Sequence, residues 1–484
     1  MVFSSITFLY YFLPAFLLVY FLSGSFKNFV LLAFSIFFYA WGGPKFVFVI
    51  LATTTLDFFL VRAMHQASTK KSRRVYLFFS VAINFGLLFY FKYCGFFVEN
   101  INRLIHAAGY TGEIHFTALL MPIGISFYTF ETITYVVDVY RGVHKPLKNF
   151  LEYQTYIMMF PKLIAGPIVR YHEIANQLSD RSSNENADNR LNGFFRFALG
   201  LAKKVLIANT MAEVANAFYG DPISGAGMAN PDTLSSYQAW MAALAYSFQI
   251  YFDFSGYSDM ALGIGKMLGF RFPENFNHPY LSQSITEFWR RWHITLGNWM
   301  KNYLYIPLGG NRVSSKTRLF FNLWLVFLLS GLWHGASWNF VIWGAWHGLF
   351  LVLDRLFLEK LLRGAGKVIR VAFTFFIVVL GWVFFRVEDS SLALKFIQAM
   401  FSVSGEGGFS FHFSREFYIV FWMAVFFSFF AFFSFSQRYA ESVFEGTTQI
   451  KLHLLRSGIA IVFLVLSTAY LVSGDFNPFI YFRF

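Results

Sequence analysis

The sequence is nearly without cysteine and poor in charge. Its single cysteine, Cys94, excludes an internal disulfide and any cysteine-based metal cluster. Only 13% of the 484 residues are charged, against about 25% in a soluble globular chain, while 57% are hydrophobic and 68 are phenylalanine. No long polar stretch interrupts the apolar runs between Phe8 and Val472, and the longest polar segment, His172–Asn189, is too short to fold alone. A set of soluble domains is therefore excluded, and residues 1–484 read as one membrane-embedded domain. Several catalytic signatures are missing as well: there is no GxSxG elbow, no P-loop and no HExxH. The eleven histidines form no pair at helical spacing, so no metal site is expected.

What is present is a basic, apolar chain. Its 39 Lys and Arg against 26 Asp and Glu give +13, spread between apolar runs rather than gathered on one polar face. That pattern fits cytoplasmic loops and anionic lipid head groups, not nucleic acid. A bilayer core takes about 20 apolar residues per helix. Candidate spans are Ile6–Leu22, Phe29–Trp41, Phe46–Val61, Val75–Phe91, Phe116–Val137, Tyr237–Tyr251, Leu319–Leu332, Phe340–Leu353, Ile369–Phe385, Phe417–Phe435 and Ile459–Leu471. The first lacks a basic leader and a small-residue cleavage site, so it reads as a retained span. Tyr156–Pro167, broken by Pro161, Lys162 and Gly166, reads as a re-entrant piece, which lipid tolerates only where protein or a cavity surrounds it. The basic runs Lys70–Arg74, Asn311–Arg318 and Arg363–Arg370 place their loops in the cytoplasm, which puts both termini outside. Both termini on one face require an even number of crossings, so about 11–12 helices are expected, with the missing one between Val137 and Asn311.

Three segments concentrate polar groups at membrane depth. In Ser284–Arg312 (SITEFWRRWHITLGNWMKNYLYIPLGGNR), Ser284 and Glu287 have capping-box spacing, so a helix starts there. Along that helix Glu287 faces Arg290 and Arg291, and Arg290 faces His293. In Leu328–Asp354, His334 lies among Ser330, Gly331, Gly335, Ala336 and Ser337, small residues that admit either another backbone or a slim substrate. An ionisable group inside a membrane is a functional candidate by default, which singles out His334; His347 reads as a packing or gating residue. In Gln249–Phe270, Asp253 and Asp259 need partners, and the arginines are the natural ones; its GIGKMLG lacks the glycine spacing of a nucleotide-binding turn.

Together with Met121–Gly142 (MPIGISFYTFETITYVVDVYRG) and Phe160–Tyr171 (FPKLIAGPIVRY), these segments resemble the membrane-bound O-acyltransferase superfamily, in particular its bacterial branch acting on alginate, related exopolysaccharides or peptidoglycan. The resemblance implies an all-α polytopic fold, a ring of helices around a central funnel, with His334 at its floor and His293 as a second catalytic histidine. Acyl transfer to a hydroxyl needs a base, and histidine is suited to it. The implied donor is acetyl-CoA or an acyl carrier thioester, a substrate rather than a bound cofactor. Its phosphates would meet Arg290, Arg291, Lys301 and Arg312; Trp289, Asp253 and Asn339 complete the expected substrate-binding set.

The expected setting is a bacterial inner membrane, with lipids, a polysaccharide acceptor and an extracytoplasmic SGNH-type acetyltransferase as partners. The C-terminal FNPFIYFRF resembles an aromatic motif on a small subunit of the related D-alanylation system, which makes Tyr481 a candidate acyl carrier. A D-alanyl or lipid-directed acyltransferase is the neighbouring alternative. A secondary transporter would explain broken helices and membrane carboxylates, but it leaves WRRWH and LWHGA without a use.

Overall fold

The computed structural model describes residues 1–117, 119–221, 227–402 and 410–474. They group into two compact units, Met1–Glu185 with Leu268–Phe272, and Asn186–Met267 with Pro273–Phe484. Both are helical, and Phe276 and Trp292 form an isolated antiparallel bridge.

Among the described residues seven helices are long and apolar enough to cross a membrane: Gly24–Gly42, Pro44–Gln66 and Lys70–Ala107 in the first unit, and Trp338–Gly364, Gly366–Arg386, Arg415–Phe432 and Ile450–Ser473 in the second. Phe8–Leu22 is a shorter apolar helix. The all-α polytopic expectation therefore holds, while several boundaries move. Phe116–Val137 is not one helix: the helix begins at Ile125, after Pro122 and a Gly124 at φ +75°. Tyr237–Tyr251 is part of a 32-residue helix, Ser236–Met267, whose Gln249, Asp253, Ser255, Ser258 and Asp259 are all buried in protein. Such a helix needs no apolar surface for lipid, because neighbouring helices clothe it.

In the first unit the break expected within Tyr156–Pro167 is present, and protein surrounds it. The helix Phe150–Met158 breaks, turns once over Phe160–Leu163 and continues extended, with Tyr156–Leu163 buried throughout. A buried ion pair ties it down: the Lys162 ammonium meets the Glu131 carboxylate, and side-chain exposure is 0% and 2%. The other Glu131 oxygen accepts from the Val169 amide at 3.3 Å, and Tyr156 donates to the Val169 carbonyl at 2.9 Å. A Cβ on Gly124 would lie 2.6 Å from the Leu163 carbonyl oxygen, so the chain passes too close for any other residue. The two sequence motifs Met121–Gly142 and Phe160–Tyr171 are thus halves of one contact.

In the second unit the helix Ala187–Ala202 crosses Ser236–Met267 at glycines: a Cβ on Gly200 would meet the Gly256 carbonyl at 2.5 Å. Beside the crossing, Asp253 pairs with Lys204 at 2.9 Å, while Asp259 takes Arg196 at 2.7 Å and Lys203 at 2.6 Å.

Removing one member of a buried pair leaves an uncompensated charge. Lys162→Met should therefore destabilise the protein by about 3–5 kcal/mol, and adding Glu131→Gln should recover much of that. Thermal unfolding of the purified protein in detergent checks both variants.

Candidate active site

His334 is the last residue of the helix Lys316–His334, and the next helix, Trp338–Leu353, folds back against it. The backbones approach so closely that a Cβ on Gly331 would lie 2.1 Å from the Phe340 carbonyl oxygen, and one on Gly344 2.3 Å from that of Phe327. The small residues around His334 thus admit a neighbouring backbone, the first of the two readings open from sequence. Asn339 donates to the Val387 carbonyl, which fixes this hairpin to the end of Gly366–Arg386. The His334 ring is 4% exposed and has three aromatic rings around it, Trp333 at 4.8 Å, Trp343 at 5.1 Å and Phe385 at 5.2 Å between centroids. The negative end of its helix dipole faces a ring that becomes positive when it takes up a proton.

His293 is not on the helix with Arg290. That helix, Ile285–Arg291, starts at Ser284 as its capping spacing predicts, since Ser284 Oγ accepts from the Glu287 amide at 3.1 Å. It stops at Trp292, and His293 takes a left-handed backbone, φ +46°. The expected Arg290–His293 facing pair is therefore absent: Arg290 is exposed and His293 is 1% exposed. The reason is backbone pairing, because the Asn277 amide donates to the Arg291 carbonyl at 2.9 Å and the Ile294 amide to that of Asn275 at 3.0 Å.

Asn275 also sets the tautomer of His293. Its Oδ1 accepts from His293 Nδ1 at 3.0 Å and from Thr295 Oγ1 at 2.9 Å, while its Nδ2 donates to Ser258 Oγ at 3.1 Å. The proton is then on Nδ1, and Nε2, which meets no hydrogen-bond partner, presents a lone pair. Burial pulls the pKa of His293 down to about 3, so the ring is neutral across the physiological range. Trp333 lies between the two histidines, 6.3 Å from His293.

His347 is fully buried against Trp289 at 5.0 Å and Trp343 at 5.2 Å, and neither of its ring nitrogens has a partner. Trp343 therefore touches both His334 and His347. One face of Gly366–Arg386 runs alongside. Thr374 is near its start, a Cβ on Gly381 would meet His347 Nε2 at 2.7 Å, and Phe385 packs on His334. At 1.5 Å per residue, Thr374 and Phe385 are about 16 Å apart along the axis. Thr374 Oγ1, Trp289 Nε1, both nitrogens of His347 and Trp343 Nε1 all lack partners. An unmade buried hydrogen bond costs about 1–3 kcal/mol, so each of these groups gains by bonding to water or to a polar ligand.

At the Thr374 end lies a cavity of about 400 Å³, lined by Arg290, Arg355, Arg370, Glu287, Asp354 and Thr374 among others. Of the four basic residues expected to bind phosphate, only Arg290 lines it. Arg291 is held by Glu287 at 2.7 Å, and Lys301 and Arg312 are exposed elsewhere. Arg355 and Arg370 line the cavity beside Arg290. Arg370 Nε has no partner, while Asp354 is occupied by the Thr286 amide at 2.8 Å and its hydroxyl at 3.0 Å. Asp253 is committed to Lys204 and Asn339 to Val387; Trp289 packs against His347. Tyr481 lies outside the described residues. In sequence, Arg370 read as a topology marker and Asn275 carried no signal, because its importance comes from a pairing across 18 residues.

Membrane-crossing helices packed around buried histidines define a polytopic membrane enzyme. The family model of membrane-bound O-acyltransferases matches residues 143–363. The chain is 44% identical to the probable alginate O-acetylase AlgI of Pseudomonas aeruginosa, over 83% of this chain and 75% of that protein. It is 37% identical to the peptidoglycan O-acetyltransferase of Helicobacter pylori, over 84% and 80%, and 27% identical to the teichoic acid D-alanyltransferase of Bacillus subtilis, over 49% and 60%. The chain belongs to the membrane-bound O-acyltransferase family and is an O-acyltransferase.

Asn275→Ala should release the His293 ring and lower acyl transfer about a hundredfold, the scale of a misplaced catalytic group, with the protein still accumulating in the membrane. Initial rates in membrane vesicles normalised to protein level check this.

Proposed function

We propose that this enzyme moves acetyl groups from a cytoplasmic thioester to the outer side of a bacterial inner membrane, for O-acetylation of a cell-surface polysaccharide. The observation that carries the reading is the arginine-lined cavity at the Thr374 side of Gly366–Arg386, with His334 packed on Phe385 near the other end of that helix. Arg290, Arg355 and Arg370 suit the phosphates of coenzyme A or of a carrier-bound pantetheine arm, as fork-shaped donors. Trp289 Nε1 and the His347 nitrogens can hydrogen-bond the amides of that arm. The basic loops Lys70–Arg74 and Arg363–Arg370 support a cytoplasmic position for the cavity and an outer position for both termini.

At His334 the acceptor hydroxyl gives its proton to the imidazole while its oxygen attacks the thioester carbonyl. The carbon–sulfur bond then breaks, and the imidazolium returns the proton to the departing thiolate. His293, held neutral and oriented by Asn275, positions the acceptor side. The apolar shell keeps water from the activated acyl group. The similarity to alginate and peptidoglycan O-acetyltransferases supports acetyl as the group and a polysaccharide as the final acceptor, with an SGNH-type partner to pass it on.

His334→Ala should cut surface acetylation by about 10²–10⁴-fold in a strain whose only copy is the variant, the usual share of a general base. Near-normal acetyl ester on the polymer would reject the assignment. Arg290→Gln and Arg370→Gln should each raise the KM for the donor about tenfold and leave kcat near normal, the size of a charged hydrogen bond. Added salt should have the same effect on the unmodified enzyme.

A further inference from the structure

The surroundings of His334 set a limit on what can be transferred. Resting on the reading of His334 as the base, we propose that Trp343 is the acyl-length gauge of this enzyme, closing the space beside His334 so that only a very short acyl group fits.

A hydroxyl whose proton passes to His334 lies about 2.6–3.2 Å from the ring nitrogen, so the acyl carbon it attacks is only one bond further away. The tail of the acyl group must start within a few ångströms of the imidazole. Trp333, Trp343 and Phe385 stand at 4.8, 5.1 and 5.2 Å from that ring. The hairpin closes another direction, since a Cβ on Gly335 would lie 2.0 Å from the Phe340 ring.

Among these walls Trp343 is firmly held. It is 1% exposed and touches Phe385 at 5.0 Å, His347 at 5.2 Å, Trp289 at 5.5 Å and Trp382 at 6.1 Å, so the indole is braced from several sides. Shortening it frees the volume of an indole beside His334, and a longer acyl chain gains room without any change at the base itself. Neither the 400 Å³ cavity nor the larger one of about 780 Å³ is lined by His334, so no roomy chamber for a fatty tail opens on the ring from either.

The test is a graded series, Trp343→Phe, Trp343→Leu and Trp343→Ala, in membrane vesicles supplied with acetyl-, propionyl- or butyryl-coenzyme A. The same acyl groups on a purified acyl carrier protein are used if the unmodified enzyme accepts only those. The readout is the ratio of acetyl to butyryl transfer, normalised to protein in the membrane, because a merely structural residue lowers both rates together. The expected result is that Trp343→Phe opens the enzyme to propionyl. The smaller residues should lower the acetyl-to-butyryl ratio by about tenfold or more, the scale of a methylene-sized clash relieved. A ratio unchanged across the variants that accumulate overturns the proposal, and so does loss of transfer from every donor in Trp343→Phe. A His334→Ala enzyme that keeps full activity would instead overturn the choice of base, which separates the two failures.

Discussion

The site depends on how closely the helix Lys316–His334 and the helix Trp338–Leu353 approach one another. With Gly331 against the Phe340 carbonyl and Gly344 against that of Phe327, no side chain fits between the two backbones. In a bilayer this kind of contact is what holds helices together, because lipid tails are as apolar as leucine and provide no hydrophobic drive. The contact fixes His334 at a helix end and brings Trp343 against it. Asn339, at the start of the returning helix, anchors the pair to Val387. A shift of even one methyl group at either glycine would move the base relative to everything it acts on.

The same solvent sorts the polar residues into two sets. Those that cannot reach water pair with one another: Glu131 with Lys162, Asp253 with Lys204, and Asp259 with Arg196 and Lys203. These pairs order the helices, and Glu274, which Arg196 also meets at 2.6 Å, balances the second cation at Asp259. Other buried polar atoms have no partner within the protein, among them those of Thr374, Trp289, His347, Trp343 and the Nε2 of His293. Each unmade bond costs stability, which a bound polar group can recover.

Much of this was legible in the sequence, and the reasons differ from residue to residue. The membrane class follows from composition, while the all-α polytopic fold is what the family resemblance implies. The break at Pro161 and Gly166, the start at Ser284 and the Glu287–Arg291 pair follow from local rules of helix geometry, and the structure places each of them as those rules require. What local rules missed was set by long-range contact. Phe116–Val137 reads as a span, yet Gly124 turns where the chain passes Leu163. Arg290 and His293 read as one face, yet pairing with Asn275 and Asn277 ends the helix between them. Arg370 reads as a topology marker and Arg355 carries no signal, and only the packing of their helices brings them to the cavity at Arg290.

The central claim is that an acyl group leaves its thioester at His334 and appears as an ester on the far side of the membrane. Sealed inside-out vesicles from the producing bacterium, given acetyl-coenzyme A labelled in the acetyl group, test it most directly. The unmodified enzyme should deliver label to the lumen as an alkali-labile ester, and His334→Ala should deliver none. Equal ester labelling by both, or label recovered in the lumen as intact acetyl-coenzyme A, would contradict the account.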